Sequence, residues 1–168
     1  MKSRLINSRI AIGMLSLPIW MFTACKPAQD ACSVTEAQRK QITSEIETTV
    51  RNGLNASTLN YETHTGFRAN EPGYIMAGDG KVRFASYNDY NEAMKKSFKN
   101  IVRFTAFNIH EIYTYVLSKD AATSTIVFTG SYLRPSGATE PDNGCWTFVF
   151  KKFSHGWKVV QENGTHLK

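Results

Sequence analysis

The sequence predicts an α+β fold, with N-terminal helices gathered on one face of a curved antiparallel sheet. Three observations carry this expectation. Apolar residues recur every four positions from Ile42 to Leu54; a Gly78-Asp79-Gly80 turn separates two short runs; and the chain beyond residue 101 is filled by four long stretches rich in β-branched and aromatic residues. Helical periodicity comes first and strand-like composition afterwards, so the elements are segregated along the chain, and segregated elements pack as helices against an antiparallel sheet.

Each element has a local cause. Ser33 followed by Glu36 reads as a capping box, and Ile42, Ile46, Val50 and Leu54 form one apolar stripe flanked by Arg39, Lys40, Glu45 and Glu47, which predicts a helix over 34–54. A shorter helix over 57–64 places Tyr61 and His64 on one face by their spacing of three. In Gly73 to Phe84, Asp79-Gly80 supplies the positive φ angles of a tight hairpin. Ser86 then caps a helix over 87–99 whose Tyr90, Met94 and Phe98 share a face. Four antiparallel strands follow, over 102–117, 123–133, 145–153 and 157–166, separated by turn-forming segments such as Ser118-Lys119-Asp120 and Pro135 to Gly144.

The N-terminus has a different character. Lys2, Arg4 and Arg9 precede an apolar run from Ile10, and small residues lead up to a thiol in Phe22-Thr23-Ala24-Cys25. That order is the one a cleaved signal peptide needs, and the run is shorter than the roughly 20 residues a bilayer-spanning helix requires. The tetrapeptide resembles the bacterial lipobox, with Phe22 where leucine is commoner. The resemblance implies that Cys25 becomes a diacylated N-terminus carrying chains such as palmitate. Residues 1–24 therefore read as a lipoprotein signal peptide, 25–33 as a lipidated tether and 34–168 as one domain. The membrane is the expected partner through Cys25, and the cell envelope the expected location. Lys26, rather than an acid after Cys25, resembles outer-membrane sorting in Gram-negative bacteria.

Composition narrows the function classes. The whole-chain charge of +6 includes the three basic residues of the leader. No Lys/Arg block is longer than the pairs Lys95-Lys96 and Lys151-Lys152, so there is no polybasic footprint and nucleic acid is not an expected partner. The four histidines, His64, His110, His155 and His166, lack ligand spacing, and neither a metal nor another cofactor is expected. With Cys25 acylated, Cys32 and Cys145 remain in an oxidising compartment. Two readings stay open for them: a disulfide closing a long loop, or a tether cysteine and a small apolar strand residue that do not meet.

The order of elements, together with the last hairpin Phe148-Val-Phe-Lys-Lys-Phe-Ser-His-Gly-Trp-Lys-Val-Val-Gln-Glu-Asn-Gly-Thr-His166, resembles the nuclear transport factor 2-like superfamily, and within it the SnoaL-like branch. The resemblance covers about residues 34–168 and implies a cone whose helices and bent sheet enclose a pocket. Its members include isomerases, cyclases and dehydratases as well as proteins that only bind or assemble, so the fold leaves function open. In several relatives the last strand ends in a His-x-Ser pair pointing into the cavity. The matching positions here are Asn163 and Thr165, which hydrogen-bond but do not titrate near neutral pH. Relatives like ketosteroid isomerase place a carboxylate base on the early strand, where this chain has Ile75-Met76-Ala77.

The remaining candidates come from pattern. Strict alternation places His110 on one face of its strand and Glu111 on the other, so whichever face turns inward would bring an ionisable group to the cavity. Burial would raise the pKa of a lone Glu111, which makes it, with His64, a candidate acid or base. Tyr61, Tyr74, Tyr113 and Trp146 are the aromatics expected to line an apolar pocket. The expected function is small-molecule binding or self-association without evident catalysis. An isomerase, cyclase or hydratase is the alternative. Apolar residues on both faces of the late strands, such as Val159 beside Val160 and Phe148 beside Val149, predict a homodimer through the outer face of the sheet.

Overall fold

The computed structural model describes residues 33–167; the expected signal peptide, the expected lipobox with Cys25, and Cys32 lie outside them. Helix α1 runs over Glu36–Gly53 and is started by Thr35 rather than Ser33. Thr35 Oγ1 accepts from Gln38 N at 3.2 Å and Gln38 Oε1 accepts from Thr35 N at 3.0 Å, a reciprocal box two residues later than expected. The later start leaves Val34 outside the helix, where it packs against the core. Helix α2 is Tyr61–Gly66, not 57–64. Asn55 Oδ1 accepts from the Ser57 amide at 3.0 Å, and this side-chain turn diverts the chain until Asn60 caps the helix.

Strands β1 (Ile75–Gly78) and β2 (Lys81–Phe84) form the expected hairpin, with φ of 51° at Asp79 and 82° at Gly80. Ser86 caps α3 (Tyr87–Phe98). Strands β3 (Arg103–Val116), β4 (Ala121–Leu133), β5 (Thr139–Phe153) and β6 (Gly156–His166) complete one six-stranded sheet in the order β2-β1-β6-β5-β4-β3. The sheet is mixed: β1 runs parallel to β6 although every other pair is antiparallel. Strand β5 begins within the stretch expected to be a turn. Its Pro141 pairs with Ser131 of β4 but lies beyond Gly144, where the β6 ladder ends, and proline is tolerated at such an edge.

The core lies between α1 and the inner face of the sheet, where Ile42, Ile46 and Val50 meet Ile126, Phe148, Phe150 and Val159. Bulges decide which side chains reach that face, and two of them move candidate residues. In β3, Ile109 pairs with Phe128 and Glu111 with Val127, so His110 is an extra residue. In β6, Gln161 pairs with Val149 and Val159 with Phe150, so Val160 is the extra residue. Past each bulge the parity of inward and outward residues is reversed.

Candidate functional site

A cavity of about 350 Å³ opens between the helices and the inner sheet face. Its walls are mainly apolar and aromatic, with Leu54, Phe104, Ile126, Phe128, Trp146 and Phe148 among them. Polar groups enter at three places.

The first is a buried ion pair. Arg68, just past α2, donates from Nε to Glu162 Oε1 at 2.6 Å and from Nη2 to Oε2 at 2.8 Å, and its Nη1 donates to the His64 carbonyl at 2.7 Å. The Tyr74 hydroxyl donates to Glu162 Oε1, and Trp146 Nε1 donates to Oε2 at 2.9 Å. Each carboxylate oxygen thus accepts two hydrogen bonds, which fills the capacity of an ionised carboxylate. Burial opposes the charge on Arg68, but the adjacent Glu162 outweighs it and holds the guanidinium protonated above its ordinary range. Burial, reinforced by the Glu162 carboxylate, raises the Tyr74 phenol. Gly164 makes this arrangement possible, since a Cβ there would lie 2.2 Å from the Trp146 ring.

The second is His64. Its ring packs against Phe98 at 5.2 Å and Tyr90 at 6.2 Å between centroids, and its Nδ1 is shut off from solvent without a hydrogen-bond partner. Burial, and secondarily the Arg68 charge, pushes its pKa well below the usual histidine range, so the ring is neutral.

The third is the rim. His166, at the end of β6, has Nδ1 3.6 Å from Asp79 Oδ2 and Nε2 3.4 Å from Asp142 Oδ1, and its amide donates to Asp79 Oδ1 at 3.0 Å. Burial raises the Asp142 pKa, with His166 acting in the opposite direction. The His166 amide and the Arg83 guanidinium lower that of Asp79. Arg134 on the same rim pairs with Glu140 at 2.7 Å. Among the described residues no group of three or more His, Cys, Asp and Glu side chains is arranged to hold a metal ion.

Of the residues expected to form a site, the structure brings His64 and Trp146 to the cavity. Tyr61 is adjacent, its hydroxyl donating to Asn91 Oδ1 at 2.9 Å and its ring edge-on to Phe98. Tyr74 is fully buried behind the wall and holds Glu162 instead of a ligand. Glu111 and Tyr113 lie on the outer face, where the Tyr113 hydroxyl donates to Glu111 Oε2 at 2.6 Å and Tyr113 is 64% exposed. The bulge at His110 is the reason: it turns His110 and Glu111 out together, so neither reaches the cavity. Asn163 and Thr165 also face outward. Alternation from Trp157 and Val159 would place them inside, but the bulge at Val160 transfers the inward positions to Glu162, Gly164 and His166.

Arg68, Asp142, Glu162 and His166 were therefore missed by pattern. One signal for the last strand was present in the sequence. A glycine inside a strand marks close approach of another group, and Gly164 pairs with Trp146, which identifies its parity as the inward one.

No family model matches the sequence, and no curated protein does. Solved structures do match. A scytalone dehydratase candidate from Novosphingobium aromaticivorans superposes with a TM-score of 0.68 at 9% identity, covering 80% of this chain and 89% of that one. A nuclear transport factor 2-like superfamily protein from Salmonella enterica gives 0.61 at 14% identity, covering 80% and 94%. A ketosteroid isomerase-like protein from Erwinia carotovora gives 0.56 at 17% identity, covering 74% and 95%. At such identities the likeness concerns architecture alone, and the conclusion it supports is that residues 33–167 adopt the nuclear transport factor 2-like fold.

Proposed function

We propose that this chain is a lipid-anchored, envelope-facing protein of the SnoaL-like branch whose cavity binds a small, mainly apolar molecule, and whose outer sheet face joins two copies. The observation that carries the binding reading is the saturation of Glu162. A carboxylate whose four acceptor positions are taken by Arg68, Tyr74 and Trp146 has none left to remove a substrate proton. The apolar walls with a few polar groups have the composition of a small-ligand site. Anchoring rests on the basic leader and Phe22-Thr23-Ala24-Cys25.

A second reading, an isomerase, cyclase or hydratase, is favoured by His166, which stands between two carboxylates at the rim. The two readings separate on paired measurements of affinity and turnover, made on the same variants with whatever molecule copurifies. For a binding protein, Trp146→Ala lowers affinity about 10-fold or more by removing apolar contact, and His166→Ala leaves no reaction to lose. For an enzyme, His166→Ala or His64→Ala lowers turnover by about 10² to 10⁴ with affinity nearly intact, and that outcome would overturn the binding reading. The anchor is checked separately. Cys25→Ala is expected to release the protein from membranes or block its processing, and an unacylated mature N-terminus by mass spectrometry would rule the anchor out.

A further inference from the structure

The charges around the cavity are already matched. Arg68 faces Glu162 in a bidentate pair, Arg83 faces Asp79, Arg134 faces Glu140 at 2.7 Å, and His166 lies within 3.6 Å of Asp79 and 3.4 Å of Asp142. An anionic ligand would find each lining arginine already paired, and a cationic one would have to displace the His166 ring from Asp142, each while losing its own hydration. His64 is the contrasting group. Its ring packs between Phe98 and Tyr90, it lines the cavity, its Nδ1 is buried without a hydrogen-bond partner, and among the described residues none donates to or accepts from its Nε2. A neutral imidazole has one donor and one acceptor nitrogen, and leaving them unpaired at an apolar wall is unfavourable unless an incoming group meets one of them.

We propose that the cavity takes an uncharged, ring-bearing molecule with one hydroxyl or carbonyl group, and that His64 is the hydrogen-bond partner of that group. The inference rests on the reading of this cavity as a binding site and specifies what it binds. Ring character follows from the walls, where Phe104, Phe107, Phe128, Trp146 and Phe148 offer aromatic faces and edges around a volume of about 350 Å³, near the lower end for small-molecule sites. A single polar group follows because, of the two buried polar atoms left without a partner among the described residues, His64 Nδ1 and the Tyr90 hydroxyl, only the one on His64 belongs to a side chain that lines the cavity. His64 acts here as a neutral acceptor or donor, not as a cation, because burial and Arg68 both disfavour its charged form.

The test is a matched series of probes of one shape: naphthalene, 1-naphthol and 1-naphthoate, titrated into the purified full-length chain and read by equilibrium dialysis, with quenching of tryptophan fluorescence, to which Trp146 contributes from the cavity wall, as a second readout. The expected order is naphthol tightest, by about 3- to 10-fold over naphthalene as one net hydrogen bond provides, with naphthoate weakest. In His64→Phe, which keeps the aromatic packing, naphthol and naphthalene should bind equally. Naphthoate binding as well as naphthol, or an unchanged naphthol preference in His64→Phe, would overturn the inference while leaving the cavity a binding site. Failure of all three probes would remove the binding reading itself. The order in the unmodified protein decides the charge question even if His64→Phe folds poorly.

Discussion

Glu162 shows how one residue can look catalytic and be structural. It is 1% exposed, carries charge, and lies behind the cavity wall, but Arg68, Tyr74 and Trp146 hold both oxygens. Replacing it with glutamine keeps the shape and leaves the Arg68 guanidinium buried without a counter-charge. Breaking one side of such a pair costs about 3 to 5 kcal/mol, so Glu162→Gln should lower the free energy of unfolding by that amount in urea titration. Tyr74→Phe removes a single donor and should cost about 1 to 3 kcal/mol. If Glu162→Gln is tolerated with a loss under about 1 kcal/mol, the network does not hold the wall as argued. The residue was not legible as a site in the sequence. An isolated glutamate before Asn163 on a late strand looks like any solvated side chain, and its partner Arg68 is 94 residues away.

Most of the elements were legible because their causes are local. The four-residue apolar stripe gave α1, Asp79-Gly80 gave the β1–β2 hairpin, and Ser86 gave the start of α3. The bulges were not, since an extra residue is chosen by how two strands fit across the sheet, and each one moved site residues to the opposite face. The parallel pairing of β1 with β6 was hidden for the same reason. Contacts between elements also carry a pH dependence that no single segment encodes. Glu45 on α1 accepts from Trp157 Nε1 at 2.8 Å and from Lys152 Nζ at 2.9 Å, tying the helix to the β5–β6 hairpin. These bonds, Trp157 first, lower its pKa from 4.5 to about 2. A depressed folded-state pKa adds stability that is present above the unfolded value and is lost as pH falls through the folded one, so this contribution should fade between about pH 4.5 and 2. The group is partly exposed, which limits the effect to about 1 kcal/mol. Denaturation midpoints of the unmodified protein and Glu45→Gln should converge as pH falls through that window. Curves that stay parallel down to pH 2 would remove Glu45 from the account.

At the scale of the whole molecule, the two faces of the sheet have different fates. The inner face is covered by α1 and the cavity, whereas the outer face of β3 presents Tyr113 and Tyr115, 64% and 66% exposed, with Leu117 just beyond at 55%. Three large side chains at alternate positions line up on one side of the strand, and Val149 and Val160 lie half-buried farther across the sheet. Among the described residues no helix is long and apolar enough to cross a membrane. An apolar row of this kind would serve the twofold contact proposed above, because the same patch can meet itself. Lipid anchoring at Cys25 would strengthen the association by confining copies to one surface, which raises their effective concentration. The full-length chain is therefore expected to sediment as a dimer at micromolar concentration. Tyr113→Glu with Tyr115→Glu should shift it to monomer by placing like charges opposite each other across the axis, with little change in thermal midpoint, because neither side chain belongs to the core. A chain that stays monomeric at high micromolar concentration would show that the row has another use. A dimer unaffected by the double substitution would place the contact elsewhere on the sheet.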